Sequence, residues 1–237
     1  MANREQLIVA LDYDNTADAL ALVDRCGGDV IYYKVGLELF LNSKGAVLEG
    51  LKERCKKIFL DLKFHDIPNT VAASCRWAAG LGVDMFNVHA SGGADMLCRA
   101  REATDEGAAK SGFKRPVLLA VTILTSLDQE ALSQVGFAGP PDENVLRLAR
   151  LTHDAGLDGV VCSSKEAAMI NREVPKPFLT VCPGIRPKWA QKGDQRRVMS
   201  PAEAITSGVG AIVVGRPITR AKDPQAAARR VLAEMGV

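Results

Sequence analysis

The chain has 237 residues, 47% of them hydrophobic and 24% charged, which is ordinary globular composition and excludes intrinsic disorder. Its 30 basic and 28 acidic side chains leave a formal net charge of +2, too balanced for a nucleic-acid coat. No run approaches the ~18 uninterrupted apolar residues of a membrane span. Asp12 and Asp14 come too early for the apolar core of a signal peptide, so the expected location is the cytoplasm.

Short apolar runs alternate with amphipathic stretches along the whole chain. LIVALD (7–12) precedes 16–26, VIYYKV (30–35) precedes 45–54, and KIFLDLKF (57–64) precedes 69–80. VDMFNVH (83–89) then leads to 93–108, PVLLAVT (116–122) to 142–155, and DGVVCS (158–163) to 164–173. FLTVCP (178–183) opens a long irregular stretch, and AIVVG (211–215) precedes 223–235. Ser200-Pro201 and Asp223-Pro224 each read as a helix N-cap followed by proline at the first helical position. Several runs are apolar at every position, as strands of a parallel sheet covered on both faces would be. Eight β-then-α units in a chain of this length predict a single-domain (β/α)8 barrel over residues 1–237. The rival is a doubly wound sheet, which usually carries a glycine-rich turn after its first strand; here that turn, DYDNTAD, has no glycine.

Six cysteines (26, 55, 75, 98, 162 and 182) form no CxxC pair, so neither a disulfide framework nor a zinc site is expected. Three histidines (65, 89 and 153) supply an imidazole metal centre poorly. No metal is predicted.

In a barrel the chemistry sits at the C-terminal strand ends. There the sequence places Asp12, Lys34, Asp61, Lys63 and Asp66, then His89, Thr122, Thr125 and Ser126, and finally Pro183, Arg186, Gly215 and Arg216. The third run is the sharpest signal. Strand alternation puts Phe59, Asp61 and Lys63 on one face and Leu60, Leu62 and Phe64 on the other. The apolar face meets the helices, so Asp61 and Lys63 point into the mouth. Lys34, sharing a face with Val30 and Tyr32, can join them from the next strand. A buried charge is costly unless paired, so alternating Lys, Asp and Lys suggest a built site; the alternative is an ion-pair network without chemistry. Gly215-Arg216 suits a phosphate, with Pro217-Ile218-Thr219 opening a short helix; the alternative is a plain turn. The stretch of about 16 residues from Pro183 lacks periodicity, which is uncommon unless functional or disordered. It carries Arg186, Lys188, Lys192, Gln195, Arg196 and Arg197, and reads as a basic lid or as a solvated loop.

Taken in order, these residues resemble the orotidine 5′-phosphate decarboxylase family over essentially the whole chain. DLKFHDIPNT (61–70) carries the family's Asp-x-Lys-x-x-Asp signature, and Lys34 stands on the second strand. LTS (124–126), PGIR (183–186), Gln195 and VVGRPIT (213–219) follow in the right order. The resemblance implies decarboxylation of orotidine 5′-phosphate to UMP without a cofactor. Lys63 would protonate the pyrimidine carbon that loses carbon dioxide, and Asp61 would lie next to the departing carboxylate. Lys34 and Asp12 would hold the ribose hydroxyls. Asp66, Ile67 and Thr70 would reach into the partner's site across a homodimer interface. Ser126, with Thr125 beside it, would contact the pyrimidine. Arg186, Gln195, Gly215 and Arg216, with Pro183 at the loop's start, would bind the phosphate end.

Three rivals remain in view. Similar sugar-phosphate lyases share the barrel and the Asp-x-Lys-x-x-Asp strand, but use magnesium and place an acid where Lys34 stands. A Schiff-base aldolase needs a neutral lysine, which flanking carboxylates oppose. A barrel that has lost catalysis would be expected to lack one of Lys34, Asp61, Lys63 or Asp66.

Overall fold

The first strand, β1 (Leu7–Leu11), is buried at every residue and lies between two parallel neighbours. In this computed structural model, residues 2–190 and 199–237 are described. After β1 come α1 (Thr16–Cys26), β2 (Tyr32–Gly36), α2 (Leu37–Asn42), α3 (Ala46–Glu53) and β3 (Lys57–Phe64). The middle of the chain supplies α4 (Pro68–Ala79), β4 (Met85–His89), α5 (Ala94–Ser111), β5 (Val117–Val121), α6 (Gln129–Gln134), α7 (Pro141–Asp154) and β6 (Gly159–Val161). It ends with α8 (Ser164–Glu173), β7 (Leu179–Cys182), α9 (Pro201–Thr206), β8 (Ala211–Val214), α10 (Arg216–Thr219) and α11 (Pro224–Met235).

The eight strands pair in chain order, and β8 returns to β1 through Leu7–Ile212, Ile8–Val213 and Val9–Val214. That closure excludes the doubly wound alternative, whose sheet has two open edges. Strand alternation divides the core in two. Ile8, Ala10, Tyr32, Phe59, Met85, Leu119 and Val121 pack inside the barrel, with Val161, Val181 and Val213 completing the layers. Val9, Leu11, Tyr33, Leu60, Phe86 and Val160 face outward onto the helices, in a larger continuous core. Burial of both faces explains why the runs read as apolar throughout.

Local chemistry sets the helix starts. The Ser200 hydroxyl accepts the Glu203 N–H, and the Glu203 carboxylate accepts the Ser200 N–H, a reciprocal cap with Pro201 in the first turn. Asp223 caps α11 by accepting from Ala226 N–H, again before proline. Two expectations shift. β2 begins at Tyr32, and Val30 sits in the outer core rather than sharing the inward face of Lys34. Two short helices, α2 and α6, occupy stretches that carry no clear periodicity.

Candidate active site

The mouth at the C-terminal strand ends is lined by charge. Lys34 stands on β2 beside Phe59 of β3, and Gly36 pairs with Asp61. The Lys34 ammonium lies 3.3 Å from Asp61 Oδ2 and 3.5 Å from Asp12 Oδ1. Lys63 Nζ lies 2.6 Å from Asp61 Oδ1. Four charges of alternating sign therefore run Asp12–Lys34–Asp61–Lys63 across β1, β2 and β3. They border a cavity of about 440 Å³ whose walls also include Tyr13, Gly36 and Leu37.

Asp61 is the pivot of the array. Its side chain keeps only 11% of its surface exposed, against 66% for Asp12. Burial pushes its carboxyl up, but Lys34 and Lys63 together with hydrogen bonds from Lys63 and Asn87 outweigh it, holding the group below the ordinary carboxylate value. It is thus an anion already in place at the mouth.

The route by which β3 delivers Lys63 differs from simple alternation. Leu60 pairs with Phe86, yet Phe64 pairs with Val88, so β3 carries two extra residues against β4. Lys63 absorbs the irregularity with φ of 53°, the left-handed region that a lysine rarely adopts. Asn87 of β4 bridges the gap: its Oδ1 accepts the Lys63 N–H at 2.8 Å and its Nδ2 donates to Asp61 Oδ1 at 2.7 Å. Sequence reasoning passed over Asn87. The available signal was a polar residue inside an apolar strand, two positions from Met85 on the inward face.

The remaining predicted residues fall as follows. Asp66 is exposed and accepts the N–H of Ile67 at 2.6 Å. Among the described residues it forms no ion pair with Lys63, so within one chain only Asp61 accompanies that amine. Ile67 is the N-cap of α4 and is 67% exposed; Thr70, in the first turn, is also exposed. Thr125 and Ser126 lie exposed in the turn after β5, whereas Thr122 is buried and donates to the Val161 carbonyl, tying β5 to β6. Pro183 and the half-buried Arg186 follow β7. The Arg186 N–H donates to the Met199 carbonyl at 2.9 Å, and Ile185 bridges Met199, so the two ends of the long stretch meet. Gln195 lies outside the described residues. Gly215 ends β8 beside Asp12, and Arg216 opens α10 with Pro217 in its first turn.

Two histidines and a tryptophan near these residues make defined contacts. The His65 and His89 rings stack with centroids 5.3 Å apart. Trp189 donates to Glu234 of α11 at 2.6 Å and carries the Arg230 guanidinium over its ring, pinning the stretch after β7 to the last helix. Among the described residues no three His, Cys, Asp or Glu side chains are grouped to hold a metal ion, and no helix is long and apolar enough to cross a membrane.

Comparison with known proteins decides the family. The profile of the "Orotidine 5′-phosphate decarboxylase / HUMPS family" matches residues 5–231. The chain belongs to this family. A relative from Alkalilimnicola ehrlichii, named orotidine 5′-phosphate decarboxylase, is 51% identical over 233 residues, spanning 98% of this chain and 97% of that protein. One of the same name from Pseudoalteromonas atlantica is 53% identical over 222 residues, 94% of each chain. The crystal structure of orotidine 5′-phosphate decarboxylase from Lactobacillus acidophilus superposes with a TM-score of 0.87 at 40% identity, covering 98% of this chain and 99% of that one. The barrel is therefore the family's own fold, with the charged mouth at its C-terminal strand ends.

Proposed function

We propose that this chain is an orotidine 5′-phosphate decarboxylase, a carboxy-lyase that releases carbon dioxide and forms UMP, with Lys63 as the proton donor. The observation that carries this reading is the Asp12–Lys34–Asp61–Lys63 array at the mouth. Breaking the bond from the pyrimidine C6 to its carboxylate leaves an electron pair localised on that carbon. The barrier reduction required lies toward the upper end of the ~8–23 kcal/mol that enzymes supply. A fixed cation where negative charge develops is the main means available. Lys63 meets both needs, since it stabilises the carbanion and then delivers its proton there.

The other residues take roles around this step. Asp61 sits by the departing carboxylate, and Lys34 and Asp12 hold the ribose hydroxyls. Thr125 and Ser126 contact the pyrimidine. Pro183, Arg186, Gln195, Gly215 and Arg216 surround the 5′-phosphate, whose remote binding energy assembles the site. Lys34 also weakens the magnesium-lyase alternative: its ammonium already lies 3.3 Å from Asp61, where a divalent ion would have to share that carboxylate.

The working unit is a homodimer in this reading, with Asp66, Ile67 and Thr70 completing the partner's site. Its support is an apolar patch beside them. Leu37, Leu41 and Trp77, 53%, 61% and 46% exposed, surround a hollow floored by Leu62 and Phe64, and Ile67 at the start of α4 is 67% exposed. Contiguous apolar surface of this kind marks an interaction site. One catalytic domain over residues 1–237 acting in the cytoplasm completes the proposal, in keeping with six cysteines that are all free thiols.

The test is direct. The protein is mixed with orotidine 5′-phosphate and excess EDTA, and ultraviolet absorbance and released carbon dioxide are followed. Turnover to UMP at a rate indifferent to the chelator is expected. No turnover overturns the reading, and a loss restored by magnesium favours the lyase.

A further inference from the structure

Asn87 has no exposed surface, and its two polar ends make different contacts. One holds the backbone of Lys63 and the other the carboxylate of Asp61. The amide can sit only one way round, because a backbone N–H only donates and an ionised carboxylate only accepts. Both contacts answer a need created by the bulge in β3. The two extra residues carry the Lys63 N–H out of the β3–β4 ladder, and this part-buried N–H finds its acceptor in Asn87 Oδ1 instead. A lysine at φ of 53° persists only where its surroundings hold it there. Asp61 Oδ1 meanwhile receives two donors, Lys63 Nζ and Asn87 Nδ2, which together fix its rotamer.

We propose that Asn87 is a positioning residue for the decarboxylation, locking the Lys63 backbone and the Asp61 carboxylate into one rigid unit. The inference rests on reading Lys63 as the proton donor. No other side chain of this size does both jobs. Aspartate loses the donor when ionised, alanine loses both groups, leucine fills the space with neither, and glutamine is one methylene too long. The titratable groups on the elements around Asn87 are Asp61 and Lys63 of β3, Lys34 of β2 and, further along the array, Asp12 after β1, with the His65–His89 pair at the ends of β3 and β4. On the other side β5 presents Leu119 and Val121, both apolar.

The experiment compares Asn87→Ala and the nearly isosteric Asn87→Asp with the parent enzyme. Displacing a reacting group by about 1 Å costs on the order of 10²-fold. For Asn87→Ala, kcat should fall by about that factor while KM changes by less than about threefold, because the phosphate contacts lie elsewhere. For Asn87→Asp, activity should be low at neutral pH and recover relative to the parent as pH falls, since a protonated carboxyl can again accept from Lys63 N–H and donate to Asp61. A residue that only stabilises the fold would lower the melting temperature and leave both the kcat of the folded fraction and the shape of the pH profile unchanged. That result overturns the proposal. If the alanine variant does not fold, the aspartate variant decides alone: acid recovery supports the positioning role, and a pH-independent loss or no loss defeats it. A parent enzyme that fails to turn over orotidine 5′-phosphate would instead refute the functional reading itself.

Discussion

Lys63 Nζ lies 2.6 Å from Oδ1 of Asp61, two residues earlier on the same strand, although the strand between them is bulged. An amine and a carboxylate this close on one β-strand are a charge-assisted pair. Lys63→Ala should therefore do two things. Turnover should become undetectable, because a positioned proton donor is worth about 10²–10⁴-fold and loss of the cation adds to that. Stability should also drop, since Asp61 stays buried with one partner fewer. Single-turnover kinetics on the folded variant measure the first and thermal melting the second. Retention of more than about a tenth of parental activity contradicts the assignment.

Arg216 is expected to act through the phosphate. Arg216→Ala should damage turnover of orotidine 5′-phosphate far more than turnover of the unphosphorylated nucleoside. A hydrogen bond to a charged group contributes roughly 1.5–3 kcal/mol, on the order of ten- to a hundredfold. Equal losses on the two substrates mean that Arg216 serves the fold instead.

Asp66 lies at the exposed corner between β3 and α4, accepts the Ile67 N–H, and among the described residues forms no ion pair with Lys63 of its own chain. The Lys63→Ala and Asp66→Ala homodimers should each be severely impaired. A mixed dimer would gather both lesions in one site and leave the other intact. Subunit exchange should then restore activity toward half of the parental value per heterodimer, with exchange verified by differently tagged chains. Heterodimers as inactive as their parents show that Asp66 acts within its own chain.

His89 offers a test by pH. Burial, then the neighbouring His65 and Lys63, hold its imidazole below the ordinary value of 6.5. The unfolded chain therefore takes up this proton at a higher pH than the folded one. Stability from the neutral ring is complete above pH ~6.5 and is lost as pH falls from there through the lower folded value. Melting temperature should decline over that window, and His89→Gln should flatten the decline. A parallel pH profile for the variant removes His89 from the account.

Much of the site is legible in sequence because alternation is so regular a rule. Asp61 and Lys63 interrupt an apolar run on one parity, and Lys34 is the single charge in its strand. Ser200 and Asp223 announce helices through caps that act over three residues. The bulge in β3 is different. It is set by how β3 and β4 share hydrogen bonds, and no glycine or asparagine at position 63 warns of the positive φ. Asn87 was hidden for the same reason, since its partners lie on the neighbouring strand, 24 and 26 positions earlier. The helix α2 escaped because only Leu39 of its apolar residues is fully buried, while Leu37 and Leu41 face outward. In α6, six residues are too few to display a period.

The backbone tie between Arg186 and Met199 has a consequence for how this enzyme can change over time. The chain leaves the barrel and re-enters it at a single neck. The separation of β7 from α9 is set by this tie rather than by the number of residues between Pro187 and Met199. Changes in chain length between Trp189 and Met199 can therefore accumulate without moving the strands that carry the charged mouth, as long as Trp189 keeps its hold on α11.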